Sequence, residues 1–174
     1  MSGDDSVLVR FHSGTAADSE GRRVGDILGW GDDDLERVHD YIQWLFPLPE
    51  RSGFNPDAPV LTSADIAAFR QRADLRASLH AAFRRLLAFY GFAERQTEGG
   101  LEIVRTSAFP HCASNWLRPG NHNLLRISRI LRALTLLGLE TEARAFLSAL
   151  EALHVEAGER LGPVALSYWR RAVR

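Results

Sequence analysis

One run of the chain, Asn121, His122, Asn123, Arg126 and Arg129, gathers residue types that bind anions. On a helix, His122, Arg126 and Arg129 share one stripe, because residues three and four apart lie on the same face. Guanidinium groups near a helix start, together with the free N–H groups of its first turn, suit a carboxylate or a phosphate. The same arginines also have a structural use: pairing with carboxylates such as Asp40 or Glu36 would tie two helices together. A second set, His39 and Gln43, is spaced four apart, so the pair either holds a ligand or makes a helix-surface hydrogen bond. Trp44, Phe46 and Pro47 follow as pocket lining or as core. Asn115 and Trp116 are placed to pin a long connector to the body.

Other chemistries find little support. His111, Cys112 and His122 match no established metal spacing, and Cys112 is the only cysteine, which excludes a multi-cysteine zinc site and an internal disulfide. A nucleophilic Cys112 would need a base and a depressed pKa. The chain has no P-loop, no G-x-G-x-x-G after a strand, no nucleophile elbow and no H-E-x-x-H. No catalytic residue, cofactor or metal is therefore assigned.

The elements that must position these residues are mainly helical. Asp32, Asp33 and Asp34 put negative charge at a helix N-terminus, and Leu35, Val38, Ile42 and Leu45 continue at helical spacing up to Pro47. Thr62 and Asp65 form a capping pair for a short helix to about Arg72. Asp74 opens another helix, with Leu75, Leu79, Phe83, Leu86, Leu87 and Tyr90 on its apolar face and Gly91 as its left-handed end. Residues 122–137 read as a central helix, apolar nearly all round, and Gly138 ends it. A further helix runs from about Glu140 to Leu161, weakened near Gly158, and Pro163 starts the last one. The stretch at about 92–120 is a long, partly irregular connector with a brief strand at Leu101–Arg105. The expected fold class is thus all-α: an irregular single-domain bundle of about six helices over residues 8–174, after a flexible N-terminus at 1–7.

Among 174 residues, 21 basic and 22 acidic side chains nearly cancel, so no global field steers the protein to nucleic acid or an anionic membrane. Every basic residue is Arg and none is Lys, as in proteins of GC-rich genomes. The acidic N-terminal stretch is unlike a secretory signal, and no apolar run approaches the roughly 20 residues of a membrane span. A cytoplasmic, bacterial protein is expected.

Two runs carry a resemblance, HDYIQWLFPLPE at His39–Glu50 and NHNLLRISRIL at Asn121–Leu131. With them go Gly21-Arg22 before Ile27-Leu28 and Trp30, the stretches FNPDAPVLT and FYGF, Asn115-Trp116, LGLE, and the ending ALSYWRRAVR. Over roughly residues 8–173 the chain resembles the conserved domain of the opioid growth factor receptor family. The resemblance implies an all-helical domain that in animal members belongs to a receptor for an enkephalin peptide, acting in growth control at the nucleus. It supplies no catalytic residues.

The reading drawn from these residues is a non-enzymatic binding module for a small anionic or peptide ligand. His39, Gln43 and Trp44 from the end of the first long helix would line its pocket. Asn115, Trp116, His122, Asn123, Arg126 and Arg129 from around the start of the fourth would complete it. An enzyme using His39 or His122 as acid or base beside the arginines is the alternative. A third reading, nucleic-acid binding, would need Arg126, Arg129 and Arg132 exposed in one row.

Overall fold

A computed structural model describes residues 5–174, so the first four residues of the expected flexible N-terminus lie outside the description. The chain forms two compact units, Met1–Ala82 and Phe83–Arg174.

In the first unit, α1 (Val7–His12) begins at Ser6, whose hydroxyl accepts a hydrogen bond from the Val9 N–H at 3.2 Å. Next comes α2 (Val24–Leu28), where the Asp26 carboxylate reaches back to the Arg23 N–H at 2.7 Å. The three aspartates open α3 (Asp32–Arg37) as expected, but that helix does not continue to Pro47. Val38 is extended (φ −86°, ψ 135°), and a separate short turn follows, α4 (Ile42–Leu45). The Tyr41 hydroxyl donates to the Leu35 carbonyl at 2.8 Å, occupying an acceptor that a continuing helix would have given to the N–H of residue 39. His39 therefore sits in the break, and the single helix expected to carry both His39 and Gln43 is two short ones.

Beyond the Pro- and Gly-rich connector, α5 (Ser63–Gln71) starts with the expected reciprocal cap. The Thr62 hydroxyl accepts from the Asp65 N–H at 3.2 Å, and the Asp65 carboxylate accepts from the Thr62 N–H at 2.8 Å. Arg72 is extended, which separates α5 from α6 (Ala73–Tyr90). The predicted apolar face of α6 is buried throughout, with its first half in this unit and its second half in the next. Here α1 packs on both α4 and α5.

The second unit corrects the all-α expectation. Two strands, β1 (Phe92–Thr97) and β2 (Gly100–Arg105), pair antiparallel in the register Phe92↔Arg105 to Thr97↔Gly100, joined by Glu98 and Gly99. The expected brief strand at Leu101–Arg105 is thus half of a hairpin, and its partner lies in the segment read as irregular. Gly91 makes the sharp turn out of α6 at φ +89°; a Cβ there would stand 2.6 Å from the Phe109 Cα. Its carbonyl accepts from the Thr106 N–H at 2.9 Å, closing the base of the hairpin. The rest of the connector folds as α7 (Phe109–Trp116).

The predicted central helix is α8 (His122–Leu136), and within this unit it packs against α7, against α9 (Glu140–Leu161) and against α10 (Ala165–Ala172). Gly138 ends it with φ +93°. Near its C-terminus α9 is kinked at Ala157 (φ −134°, ψ 26°), one residue before the Gly158 expected to weaken it. Pro163 precedes α10 without opening it, since the helix begins at Ala165. Among the described residues the fold is therefore ten helices and one two-stranded sheet, and not a six-helix bundle. The helix count differs because the helix expected up to Pro47 is broken where the Tyr41 hydroxyl takes the Leu35 carbonyl, and because α1, α2 and α7 form in segments too short or too irregular in pattern to announce a helix.

Candidate functional site

The start of α8 is built from side chains that satisfy backbone. Asn121 caps the helix through its Oδ1, which accepts from the Asn123 N–H at 2.9 Å, while its Nδ2 donates to the Asn115 carbonyl at 3.1 Å. One side chain thus ties the last turn of α7 to the first turn of α8. Trp116 is fully buried, and its Nε1–H donates to the Tyr90 carbonyl at 3.2 Å, with the two rings edge to face at 5.4 Å. The expected pinning of the connector by Trp116 is therefore seen within this unit. Asn115 is exposed and takes part through its carbonyl.

Below the cap, Asn123 is fully buried, and its Oδ1 accepts from both the Tyr90 hydroxyl and the Arg126 guanidinium, each at 3.4 Å. Arg126 is only 6 % exposed. A guanidinium taken this far out of water is costly and must be met by hydrogen bonds, so its placement ranks above that of any surface arginine as a structural commitment. His122 and Arg129 are half-buried on the same stripe. The row of three exposed arginines that nucleic-acid contact would need is absent, because Arg126 faces inward. Trp169 of α10 reaches α8 as well, donating its Nε1–H to the Leu124 carbonyl at 3.1 Å.

In the first unit, His39 is exposed, whereas Gln43 and Trp44 are 5 % and 7 % exposed. The Gln43 Oε1 and the Trp44 Nε1 are buried polar atoms with no hydrogen-bond partner among the described residues. The Trp44 ring packs on Phe11 at 5.4 Å, and the Trp44 carbonyl accepts from His12. Asp40 pairs with Arg22 at 2.9 Å; Arg22 also binds Asp18 at 2.7 Å and lies 5.4 Å from the Trp30 ring centroid.

Residue spacing alone did not single out His12. It is buried at the end of α1, with Nε2 3.0 Å from the Trp44 carbonyl and Nδ1 3.0 Å from the Ser78 hydroxyl. A carbonyl only accepts, so Nε2 carries the proton and Nδ1 accepts from Ser78. Burial pushes its pKa down to about 4, against the raising effect of the Trp44 carbonyl. Its sequence signal was the apolar company of Leu8, Val9 and Phe11 on a six-residue helix, which marks a buried histidine and not a ligand-binding one. Cys112 is buried and directs its thiol to the Ala88 carbonyl at 3.9 Å, and His111 beside it is exposed. No group of three metal-ligating side chains occurs among the described residues, and none of their helices is long and apolar enough to cross a membrane.

The second unit also holds an open groove of about 370 Å³ between α8 and α10. Leu124, Leu125, Val164 and Tyr168 line it, and no residue pattern marks it in advance.

These features define a mostly helical protein with a buried polar cluster, Asn123 and Arg126, at the start of α8. The chain belongs to the family of the opioid growth factor receptor (OGFr) conserved region, whose family model matches residues 16–174. It is 39 % identical over 141 residues to the opioid growth factor receptor of Rattus norvegicus, covering 79 % of this chain and 24 % of that protein. It is 39 % identical over 120 residues to that of Homo sapiens, covering 67 % of this chain and 17 % of the relative. Against opioid growth factor receptor-like protein 1 of Xenopus tropicalis the identity is 36 % over 126 residues, covering 70 % and 23 %. The chain therefore spans about a quarter or less of the length of these relatives. No solved structure matches.

Proposed function

We propose that the protein is a non-enzymatic binding module that takes the carboxylate of a small anionic ligand or peptide at the start of α8. The observation that carries this reading is the burial of Arg126 in one hydrogen-bonded set with Asn123 and Tyr90, a turn from the helix N-terminus. Fixed donors in a desolvated setting bind an anion more strongly than the same donors in water, because the local dielectric is lower and little ordering remains to be done. In this reading Arg126 and Arg129 supply charge and His122 a further donor, while Asn115, Trp116 and Asn123 hold the frame. Within the first unit, His39, Gln43 and Trp44 form a separate candidate contact set, supported by the buried, unpartnered Oε1 of Gln43 and Nε1 of Trp44. The relatives are named as receptors for opioid growth factor, which supports a ligand-binding role and leaves the ligand of this chain open.

The test is a thermal-shift screen against carboxylate metabolites and short peptides, followed by calorimetry on any hit. A ligand at 100 times its Kd adds about 2.7 kcal/mol to stability. Arg126→Gln and Arg129→Gln are expected to weaken such a hit at least about tenfold, a loss of about 1.4 kcal/mol. Arg129 is half-buried, so its variant keeps the test valid if Arg126→Gln misfolds. A panel without hits, or a hit whose affinity ignores Arg129→Gln, refutes the assignment.

A further inference from the structure

We propose that the groove between α8 and α10 docks an acidic amphipathic peptide segment of a partner protein. Its lining includes none of Asn123, Arg126 and Arg129, so this inference stands apart from the function proposed above.

The walls come from two helices that pack on each other. Along α8 the groove meets Leu124, Leu125 and Ser128, and along α10 it meets Ala165 and Tyr168. Three of the largest exposed apolar side chains in the described residues converge on it: Leu125 at 51 %, Val164 at 54 % and Tyr168 at 47 %. Exposed apolar residues scattered singly need no explanation, but several facing one groove mark a contact surface. The floor is fixed before any partner arrives. Gly162 takes φ +78° with its Cβ position 4.0 Å from the Pro119 ring, and Trp169 holds α10 on α8 through the Leu124 carbonyl. Such preorganisation lowers the ordering cost of binding.

Charge selects the partner. Neither lining segment, 119–128 or 161–168, contains a carboxylate, and none occurs from Thr106 to Leu139 or from Leu161 to Arg174. The charged groups flanking the groove in those stretches are arginines. Arg118 precedes Pro119, and Arg171 lies 4.8 Å from the Tyr168 ring centroid. In the last turns of α9, Glu159 is followed by Arg160, and Glu151 is paired with Arg170 at 2.6 Å. An apolar trough with a positive rim fits a helix that inserts large apolar side chains at i, i+3/i+4 and i+7 and turns carboxylates to the rim. A volume of about 370 Å³ lies within the roughly 300–1,000 Å³ of binding pockets and suits a few anchoring side chains, not a whole helix.

The experiment uses the full chain and two fluorescein-labelled peptides of about 15 residues, some four helical turns, read by anisotropy. One carries Leu at the anchoring positions and Glu elsewhere, and its twin carries Lys in place of Glu. The acidic peptide is expected to bind at least about tenfold tighter than the twin, with Leu125→Ser and Tyr168→Ser each weakening it about tenfold and Arg171→Glu inverting the preference. Leu125 and Tyr168 are half exposed, so these variants keep the fold, as circular dichroism would verify. Equal binding of the twins, or insensitivity to Leu125→Ser and Tyr168→Ser, overturns the proposal. So does preferential capture by phosphatidylserine vesicles in competition with the peptide. Dimerisation of the free chain that Leu125→Ser abolishes would assign the groove to a second copy and overturn it equally.

Discussion

His12 makes the stability of the protein depend on mildly acid pH, in a direction the structure determines. Its ring lies edge-on to Phe11 and Phe69 at 5.4 and 5.0 Å, with both nitrogens committed to Trp44 and Ser78. In this setting the imidazole stays neutral down to about pH 4, whereas in the unfolded chain it takes up a proton at the ordinary 6.5. Between those values the unfolded state binds more protons than the folded one, so stability rises with pH and is lost as pH falls from 6.5 toward 4. At about 1.4 kcal/mol per pH unit, the ceiling on that loss is about 3 kcal/mol, and at about pH 5 some 2 kcal/mol of it has been spent. The assay is urea unfolding of the native chain and of His12→Gln, which keeps a donor for the Trp44 carbonyl but does not titrate. From about pH 7.5 to about pH 5 the native chain should lose about 2 kcal/mol more than the variant. Parallel losses would show that His12 is protonated without cost in the folded state, and the burial argument would fall.

Gly91→Ala forces an L side chain to φ +89° and sets its Cβ against the Phe109 backbone, so it should cost more than about 2 kcal/mol in denaturant unfolding; an effect below about 0.5 kcal/mol would refute the steric account. Asn123→Leu removes the acceptor shared by Tyr90 and Arg126, and because both bonds are long at 3.4 Å the loss should fall near the low end of the usual 1–3 kcal/mol, about 1 kcal/mol. Tyr90→Phe in the Asn123→Leu background should then cost less than Tyr90→Phe alone, a coupling that a double-mutant cycle of thermal melts would detect.

The parts of the fold legible in the sequence are those governed by local chemistry. Thr62 and Asp65 satisfy each other within one turn, and the apolar spacing from Leu75 to Tyr90 has one answer, so α5 and α6 stand where expected. Failures occur where a contact outside the helical repeat decides a local question. Periodicity carries a helix through Val38, but the Tyr41 hydroxyl takes the Leu35 carbonyl and ends it. FAERQT has weak strand character by itself, and becomes β1 because Gly91 turns the chain and GLEIVR lies two residues beyond to pair with it.

The same distinction governs the candidate site. Asn121, Asn123 and Arg126 stand out in the sequence because a polar run opening an apolar helix calls for explanation, and the structure supplies caps and a buried cluster at that place. The groove has no such mark. Its walls are some forty residues apart in the chain, and its diagnostic property is the exposure of side chains that periodicity assigns to the core. Leu125 extends the apolar stripe of α8 on paper, yet it is half exposed. What settles its fate is the docking of α10 by Trp169 on the Leu124 carbonyl, which covers Leu124 and leaves its neighbour facing the same opening as Tyr168. A residue whose burial depends on where a later helix lands cannot be sorted into core or surface from its own spacing.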